Sequence, residues 1–457
     1  MIALTVNGKP RTLEAETALP ALLAQLNVQE RRVAVAVNGE VVPRRLYPET
    51  LLRDGDAVEI VRMVGGGSGL EVRSSKLEAR PSSLEARISN SEVVIAGAGI
   101  IGCAIAYELS RRGVSCTVLD SRRLGMAATN AAAGILAPLA EFRRPDALVH
   151  LGIAGLRRYP AWVERLREDA PDVDVEFALN GVLRVAFDGE ELAELTSAAR
   201  ASRDAGLELI ELDAADVREL EPRLSERIAG GVLCPDEGQV SNQLFTLALS
   251  RAAAKRGARF VEGCPVEGFR RRAGRVVAVR TPQGEFPCER LVLAAGPWTR
   301  PLAAKLGVEV PTRPVRGQML ALGGMSTPVR SVVWGRDGYV LPRANGLVFA
   351  GATVEEVGFR FGTTQRGLAQ VRRAAFALVP QLRQAREHFS WSGLRPGSPD
   401  GLPMLGPLPG WPDVTVATGH FRNGILLAPV TAELIAGAIV DGSPAEAIAP
   451  FDPGRFA

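Results

Sequence analysis

Ile2, Leu4 and Val6 alternate with small or polar residues, the period-two pattern of a half-buried strand. Asn7-Gly8 supplies a two-residue turn into a second strand that runs through Leu13. Thr17 is expected to cap a helix on which Leu19, Leu22, Leu23 and Leu26 share one face. Val33 to Val37 reads as an apolar strand stopped by the turn Asn38-Gly39, and Asp54-Gly55-Asp56 turns the chain into a last strand from Val58 to Met63. Two strands, a helix and further strands make the β-grasp order, and the last strand runs straight into Gly65-Gly66-Gly67.

Residues 68–90 break this patterning. Ser, Arg and Glu dominate, Pro81 interrupts, and Leu-Glu-Ala-Arg occurs at both 77–80 and 84–87. The apolar content is too low for a core, so an exposed tether is expected. Order returns with the continuous apolar run Val93, Val94, Ile95, Ala96, as in a strand buried on both faces. A helix follows from Ile100 to about Arg112, ended by Gly113, and Cys116 to Leu119 forms the next strand.

Composition adds mainly exclusions. The 457 residues leave room for two or three domains. A hydrophobic share of 46% and a net charge of +3 fit an ordinary globular protein without a nucleic-acid role. Lys9, Lys76, Lys255 and Lys305 are the only lysines, so a pyridoxal Schiff base has few candidates. Cys103, Cys116, Cys234, Cys264 and Cys288 show no metal or disulfide spacing and read as buried thiols in a reducing compartment. The first residues alternate like a strand and lack the layout of a signal peptide. No uninterrupted apolar stretch reaches 18 residues, so no membrane span is expected. Cytoplasm is the expected location, and His150, His388 and His420 are too scattered for a metal site.

Chemistry enters at residues 97–102, Gly-Ala-Gly-Ile-Ile-Gly. Gly97 makes the tight turn after the strand, Gly99 permits close approach of a pyrophosphate, and Gly102 lets helix and strand pack. Ile100 and Ile101 open the helix whose N-terminus faces the phosphates. Asp120, at the end of the second strand, is placed to bind ribose hydroxyls. Strand, glycines, helix, strand and acid within one short unit predict a dinucleotide site. Three further segments favour FAD over NAD. The small-residue run 129–136, containing Thr129, Ala133, Gly134 and Ile135, allows a ring to lie against backbone. The apolar run 291–298 ends in small residues at Gly296. His420, Phe421, Arg422, Asn423, Gly424, Ile425 and Leu426 lead into a helix whose N-terminus is aimed at polar cofactor atoms.

Two resemblances follow from these residues. Residues 1–67 resemble the sulfur-carrier proteins of thiamine biosynthesis in the opening strand and turn, the Val-Ala-Val-Asn-Gly run, Val42-Pro43, Asp54-Gly55-Asp56 and the glycine end. The resemblance implies a ubiquitin-like carrier whose terminal glycine, within Gly65, Gly66 and Gly67, is adenylated and then carries sulfur as a thiocarboxylate. Here the chain continues past Gly67. Release by cleavage at the glycine run is the expectation; a docking module or a plain flexible linker are the alternatives.

Residues 91 to about 450 resemble the glycine oxidases of thiamine biosynthesis, within the D-amino-acid oxidase and sarcosine oxidase superfamily. The most specific stretches are 97–102, 131–136, 338–343, 393–397 and 420–429. The resemblance implies noncovalent FAD, and adds Ser121, Ala128 and Val266 to the cofactor candidates. It makes Arg395 the clamp for a substrate carboxylate, with Tyr339 donating to the same group and Arg422 a second candidate. No general base is expected, because placing the substrate Cα against the flavin supplies most of what hydride transfer needs. The implied reaction is oxidation of glycine to its imine with O2 as acceptor, giving peroxide. The implied partners are thiazole synthase and a carrier-activating enzyme, around a homo-oligomer. Oxidation of sarcosine or a D-amino acid, a dehydrogenase with another acceptor, and an FAD-stabilised docking scaffold remain open.

The expected fold is therefore a β-grasp domain (1–67), a linker (68–90), and a discontinuous enzyme. Its Rossmann-like α/β FAD-binding domain takes residues 91–170, 236–308 and 396–457. Its α+β substrate domain, built on a mostly antiparallel sheet, takes 171–235 and 309–395, with strands expected at 181–187, 319–322 and 339–341.

Overall fold

A computed structural model describes residues 2–6, 9–13, 15–26, 33–37, 40–42, 47, 50–62, 91–139, 146–202, 206–326, 328–442 and 446–457. The chain divides into two compact units, Met1–Arg80 and Pro81–Ala457.

In the first unit Ile2–Val6 pairs with Lys9–Leu13 on one side and runs parallel to Ala57–Arg62 on the other. Val33–Val37 and Glu40–Val42 complete a five-stranded sheet. The Leu19–Gln25 helix buries Leu19, Leu22 and Leu23 in a core with Leu4, Leu13, Val35 and Val58. Parallel first and last strands with a helix packed across them make the β-grasp. Tyr47 is buried there and its hydroxyl accepts from Val35 N–H at 3.0 Å.

Thr17 does not cap the helix. Its hydroxyl donates to the Ala15 carbonyl, and Thr17–Ala18 pairs with Leu51–Leu52. The first helical donor, Leu19 N–H, is satisfied by the Thr50 carbonyl at 2.9 Å, so no side-chain cap is required. Gly65, Gly66 and Gly67, and the 68–90 tether, lie outside the described residues.

The second unit contains two large sheets. In the first, Arg259–Val261, Cys116–Leu119, Ser91–Ala96, the C-terminal half of Gly284–Leu293 and Trp411–Thr418 lie side by side in parallel. Ser91–Ala96 is central, and its Val93, Val94, Ile95 and Ala96 are all buried, as the unbroken apolar run predicts. The helices Ile100–Arg111, Ala147–Asp169, Asn242–Lys255 and Gly424–Asp441 pack together in one core.

Gly424–Asp441 is long and apolar enough to cross a membrane by length and composition, with a mean hydropathy of 1.7. The unbroken-run criterion misses it because Pro429, Thr431 and Glu433 interrupt the sequence. Ten of its residues are buried against neighbouring elements, as a core helix requires.

The second sheet has eight strands in the order Ile210–Asp213, Gly230–Cys234, Val182–Ala186, Val332–Gly335, Gly338–Pro342, Val348–Gly351, Arg313–Gly323, Arg386–Gly397. All pairs are antiparallel except Val182–Ala186 with Val332–Gly335. Side chains alternate between its faces. Leu320, Val333 and Val340 pack on the Gln365–Leu378 helix, whereas Met319, Tyr339 and Leu341 share the opposite face with Ala133 and Ala137. That second face forms the roof of the candidate site.

Candidate active site

The cradle begins where Ser91–Ala96 stops. Gly97 N–H donates to the Leu119 carbonyl at 2.8 Å, fastening the turn to the next strand. Gly97 has φ +116°, and a Cβ there would stand 2.5 Å from the Ala294 carbonyl oxygen. Gly102 lets the Ile100–Arg111 helix seat directly on the Gly97 carbonyl, which a side chain would overlap. Thr129 accepts from Ile100 N–H at 3.0 Å through its hydroxyl, so the small-residue segment is tied to the helix N-terminus.

Asp120 completes this end. Its two carboxylate oxygens accept from Ala98 N–H at 2.7 Å and Arg122 N–H at 2.8 Å. Burial nevertheless pushes its carboxyl above the ordinary range, opposed by those two bonds and by the Arg122 charge. Arg122 in turn lies 4.6 Å from the Trp298 ring centre and 5.1 Å from that of Phe361.

On the other side Ala128–Ala131 forms one helical turn before Ile135–Leu136 pairs with Gly238–Gln239. Gly134 has φ +83°, and a Cβ there would overlap the Val240 carbonyl. Gly134 accepts from Val240 N–H at 2.8 Å. Phe421, also left-handed at φ 48°, turns the chain into the Gly424–Asp441 helix and donates its N–H to the Pro396 carbonyl at 2.9 Å. His420 is buried, with Nε2 3.1 Å from the Thr431 hydroxyl, and burial pushes its pKa down to about 3. It is neutral at ordinary pH.

These segments enclose a cavity of about 420 Å³, within the range of small-molecule sites. Gly97, Gly99, Ile100, Ile101, Asp120, Ser121, Ala128, Thr129, Ala133, Gly134, Ile135, Val266, Gly296, His420, Phe421, Arg422, Gly424 and Ile425 line it. The two substrate candidates, Tyr339 and Arg395, line the same cavity from the second sheet. Arg395 donates to the Thr353 carbonyl at 3.0 Å, and its guanidinium lies 6.0 Å from the centre of the Phe421 ring. The Arg422 guanidinium lies 5.5 Å from the same ring. Tyr339 is 7% exposed, packs against Trp334 at 4.8 Å between ring centres, and has its hydroxyl 3.7 Å from the Met319 sulfur.

Three sequence candidates fall outside the lining. Gly102 acts through packing behind the turn. Asn423 precedes the first helical residue and donates its N–H to the His420 carbonyl. Leu426 faces the core, where its side chain approaches Gly152 of the Ala147–Asp169 helix. The first turns of the Gly424–Asp441 helix are apolar all round and give no periodic signal to say which residue faces a cofactor. Gly393, within the 393–397 stretch, lines the cavity as well, and Gly317, Met319 and Trp334 line it without having been named as site candidates. Their only sequence signal is alternation along strands, and which face is inward becomes visible only once the strands pair.

All five cysteines are buried. Burial pushes Cys116, Cys234 and Cys288 up to about 12, and raises Cys103 further, so none is a thiolate at neutral pH. Among the described residues no cluster of three His, Cys, Asp or Glu side chains offers a metal site.

The donor set fits FAD. A tight glycine turn with no room for a Cβ at Gly97, a helix N-terminus, the Asp120 carboxylate and a second helix N-terminus all converge on one mainly apolar cavity.

Comparison with known proteins agrees. Residues 4–67 match the ThiS family model. A "Bifunctional protein ThiO/ThiG" of Synechocystis sp. is 37% identical over 79% of this chain and 54% of its own length, so the chain spans about half of that relative. A "Glycine oxidase" of Geobacillus kaustophilus is 34% identical over 79% of this chain and 96% of its own. The crystal structure of glycine oxidase from Geobacillus kaustophilus superposes with a TM-score of 0.75 at 33% identity, covering 79% of this chain and 98% of that one. The structure of iminodiacetate oxidase from Chelativorans sp. superposes with a TM-score of 0.73 at 28% identity, covering 79% and 98%. Residues 92–438 match the model of the FAD dependent oxidoreductase family, and the chain belongs to that family.

Proposed function

We propose that this chain is a glycine oxidase fused to a sulfur-carrier module, and that it serves the assembly of the thiamine thiazole. The observation that carries the reading is the shared cavity: Arg395 and Tyr339, the pair proposed to bind the carboxylate, line the same space as the glycine turn. Arg395 would grip the substrate carboxylate through two parallel N–H bonds, and Tyr339 would donate its hydroxyl to the same group. With the acid group fixed, the substrate Cα is held at one depth and one orientation, which is the main requirement of the step. Met319 and Trp334 line the same cavity, and their bulk would favour a small amino acid. Bound FAD supplies the acceptor for the hydride, and O2 takes the electrons onward as peroxide. No side chain is assigned as general base: His420 is neutral, buried and engaged with Thr431.

Arg422 is proposed as a second contact for the carboxylate. The segments 171–235 and 309–395 are proposed as the substrate domain, with the remainder of 91–457 holding FAD. The ThiS-like module is proposed to be released at Gly65–Gly67 and to carry sulfur, with thiazole synthase and a carrier-activating enzyme as partners of a homo-oligomer. The five cysteines, free and buried, support a reducing, cytoplasmic setting.

The test is turnover of a small panel of amines with peroxide detection. Glycine oxidation with peroxide release supports the reading, whereas turnover of bulky D-amino acids alone rejects it. The likeness to iminodiacetate oxidase favours one second reading, a secondary-amine oxidase, which the same panel detects with sarcosine and iminodiacetate. Intact mass of the native protein tests release of the carrier: a single 48.6 kDa species would contradict it.

A further inference from the structure

We infer that Gly317 is a positioning residue: its bare backbone leaves the socket that fixes where the Arg395 guanidinium lies. The inference rests on the reading of Arg395 as the carboxylate clamp. Arg313–Gly323 and Arg386–Gly397 are antiparallel neighbours, with Val315 opposite Arg395 and Gly317 opposite Gly393. These four positions share the cavity face of the sheet. The Arg395 side chain folds back along its strand so that a Cβ built on Gly317 would overlap Nη1, Nη2 and Cζ of the guanidinium. A Cβ built on Gly393 would overlap the Cβ of Ala131, which belongs to the cofactor-side segment. One glycine of the pair therefore admits the clamp, and the other admits the cofactor wall.

Neither glycine has left-handed backbone, so room is what the sequence obtains here. Glycine in a strand interior otherwise weakens the strand, and a close approach is the usual compensation. The strand that carries the socket also holds the carbonyl that aims the fork. Gln318 N–H donates to the Thr353 hydroxyl at 3.0 Å, and Arg316 N–H to the Glu355 carbonyl at 2.9 Å. Thr353 thereby sits fixed beside Gly317, and its own carbonyl accepts from Arg395. Carboxylate position thus follows from Gly317 through Arg395.

The colliding atoms are the far end of a long side chain, so a methyl group at Gly317 should move the guanidinium and leave the fold intact. The test is a double-mutant cycle on the full chain loaded with FAD: Gly317→Ala, Arg395→Ala and both together. Acetate binding is read from perturbation of flavin absorbance, and glycine kinetics from peroxide release. Gly317→Ala should retain FAD, weaken acetate at least about tenfold, and raise KM for glycine more than it lowers kcat. In the Arg395→Ala background the same change should have no further effect. Wild-type acetate and glycine binding in Gly317→Ala, beside loss in Arg395→Ala, overturns the socket and leaves the clamp standing. Unchanged binding in Arg395→Ala overturns both. If Gly317→Ala fails to fold, recovery in the double variant supports the collision, and failure of both overturns it. Gly189→Ala, at a helix start with open space around it, serves as the neutral control.

Discussion

The Asp120 carboxylate accepts a hydrogen bond from Ala98 N–H at 2.7 Å, so the acid at the end of the second strand holds the middle of the glycine turn. One group thus holds the glycine turn and lines the cavity, where it is proposed to meet the ribose. Asp120→Asn keeps the size but places an NH2 beside one of two backbone donors, and removes the charge. FAD affinity should fall about 10- to 100-fold, since a hydrogen bond to a charged group contributes roughly 1.5–3 kcal/mol. Fluorescence titration of the apoprotein with FAD checks it; unaltered affinity would show that Asp120 serves only the turn.

Gly134 joins the cofactor wall to the strand pairing behind it. Its left-handed backbone alone makes Gly134→Val cost about 1–3 kcal/mol, and the overlap with the Val240 carbonyl adds to that. The variant should melt at lower temperature and lose FAD on desalting. Retention of both would mean that residues 134–136 can shift without consequence.

Glu237 is fully buried, bonded to Arg184 at 2.7 Å and accepting from Leu139 N–H at 3.0 Å. Burial raises its carboxyl, with Arg184 acting in the opposite direction. Glu237→Gln leaves the Arg184 charge without its counter-ion and should destabilise by roughly 3 kcal/mol. Replacing both partners by apolar residues, Arg184→Met with Glu237→Leu, should recover most of the loss. Denaturant midpoints at constant slope measure both. A double variant as unstable as the single would place the loss in packing instead of charge.

How much of this was legible in the sequence depends on the distance between the cooperating residues. The strand, glycine turn, helix and acid of residues 93–120 all cooperate within one local unit, and the structure reproduces them with the helix ending one residue early, at Arg111. The β-grasp order was equally readable from alternation and from the Leu19, Leu22, Leu23 stripe. Thr17 misled because a carbonyl from residue 50 took the donor it was expected to cap. Leu426 misled because the first turns of its helix are apolar on every side. Trp334, Met319 and Gly317 were invisible for a different reason. Alternation tells which residues share a face, but only pairing of strands far apart in sequence decides which face meets the cofactor.

His420 gives a pH signature separate from catalysis. Its folded pKa of about 3 lies below the ordinary 6.5, so the unfolded chain binds more protons between those values. Stability is therefore full above pH 6.5 and declines as pH falls toward 3, by at most roughly 1.4 kcal/mol per pH unit. His420→Gln, which can still bond Thr431, should flatten this acid limb between pH 6.5 and 4. Urea unfolding at pH 7 and pH 5 measures it; parallel pH dependence in both proteins would remove His420 as the cause.

The visible absorption spectrum of the purified protein, taken before and after anaerobic addition of glycine, decides whether a bound flavin accepts electrons from this substrate. A glycine oxidase is yellow, and its flavin bands bleach on addition and return when air is admitted, with peroxide formed. A preparation that takes up no FAD, or whose flavin spectrum stays oxidised in the presence of glycine, would contradict that function.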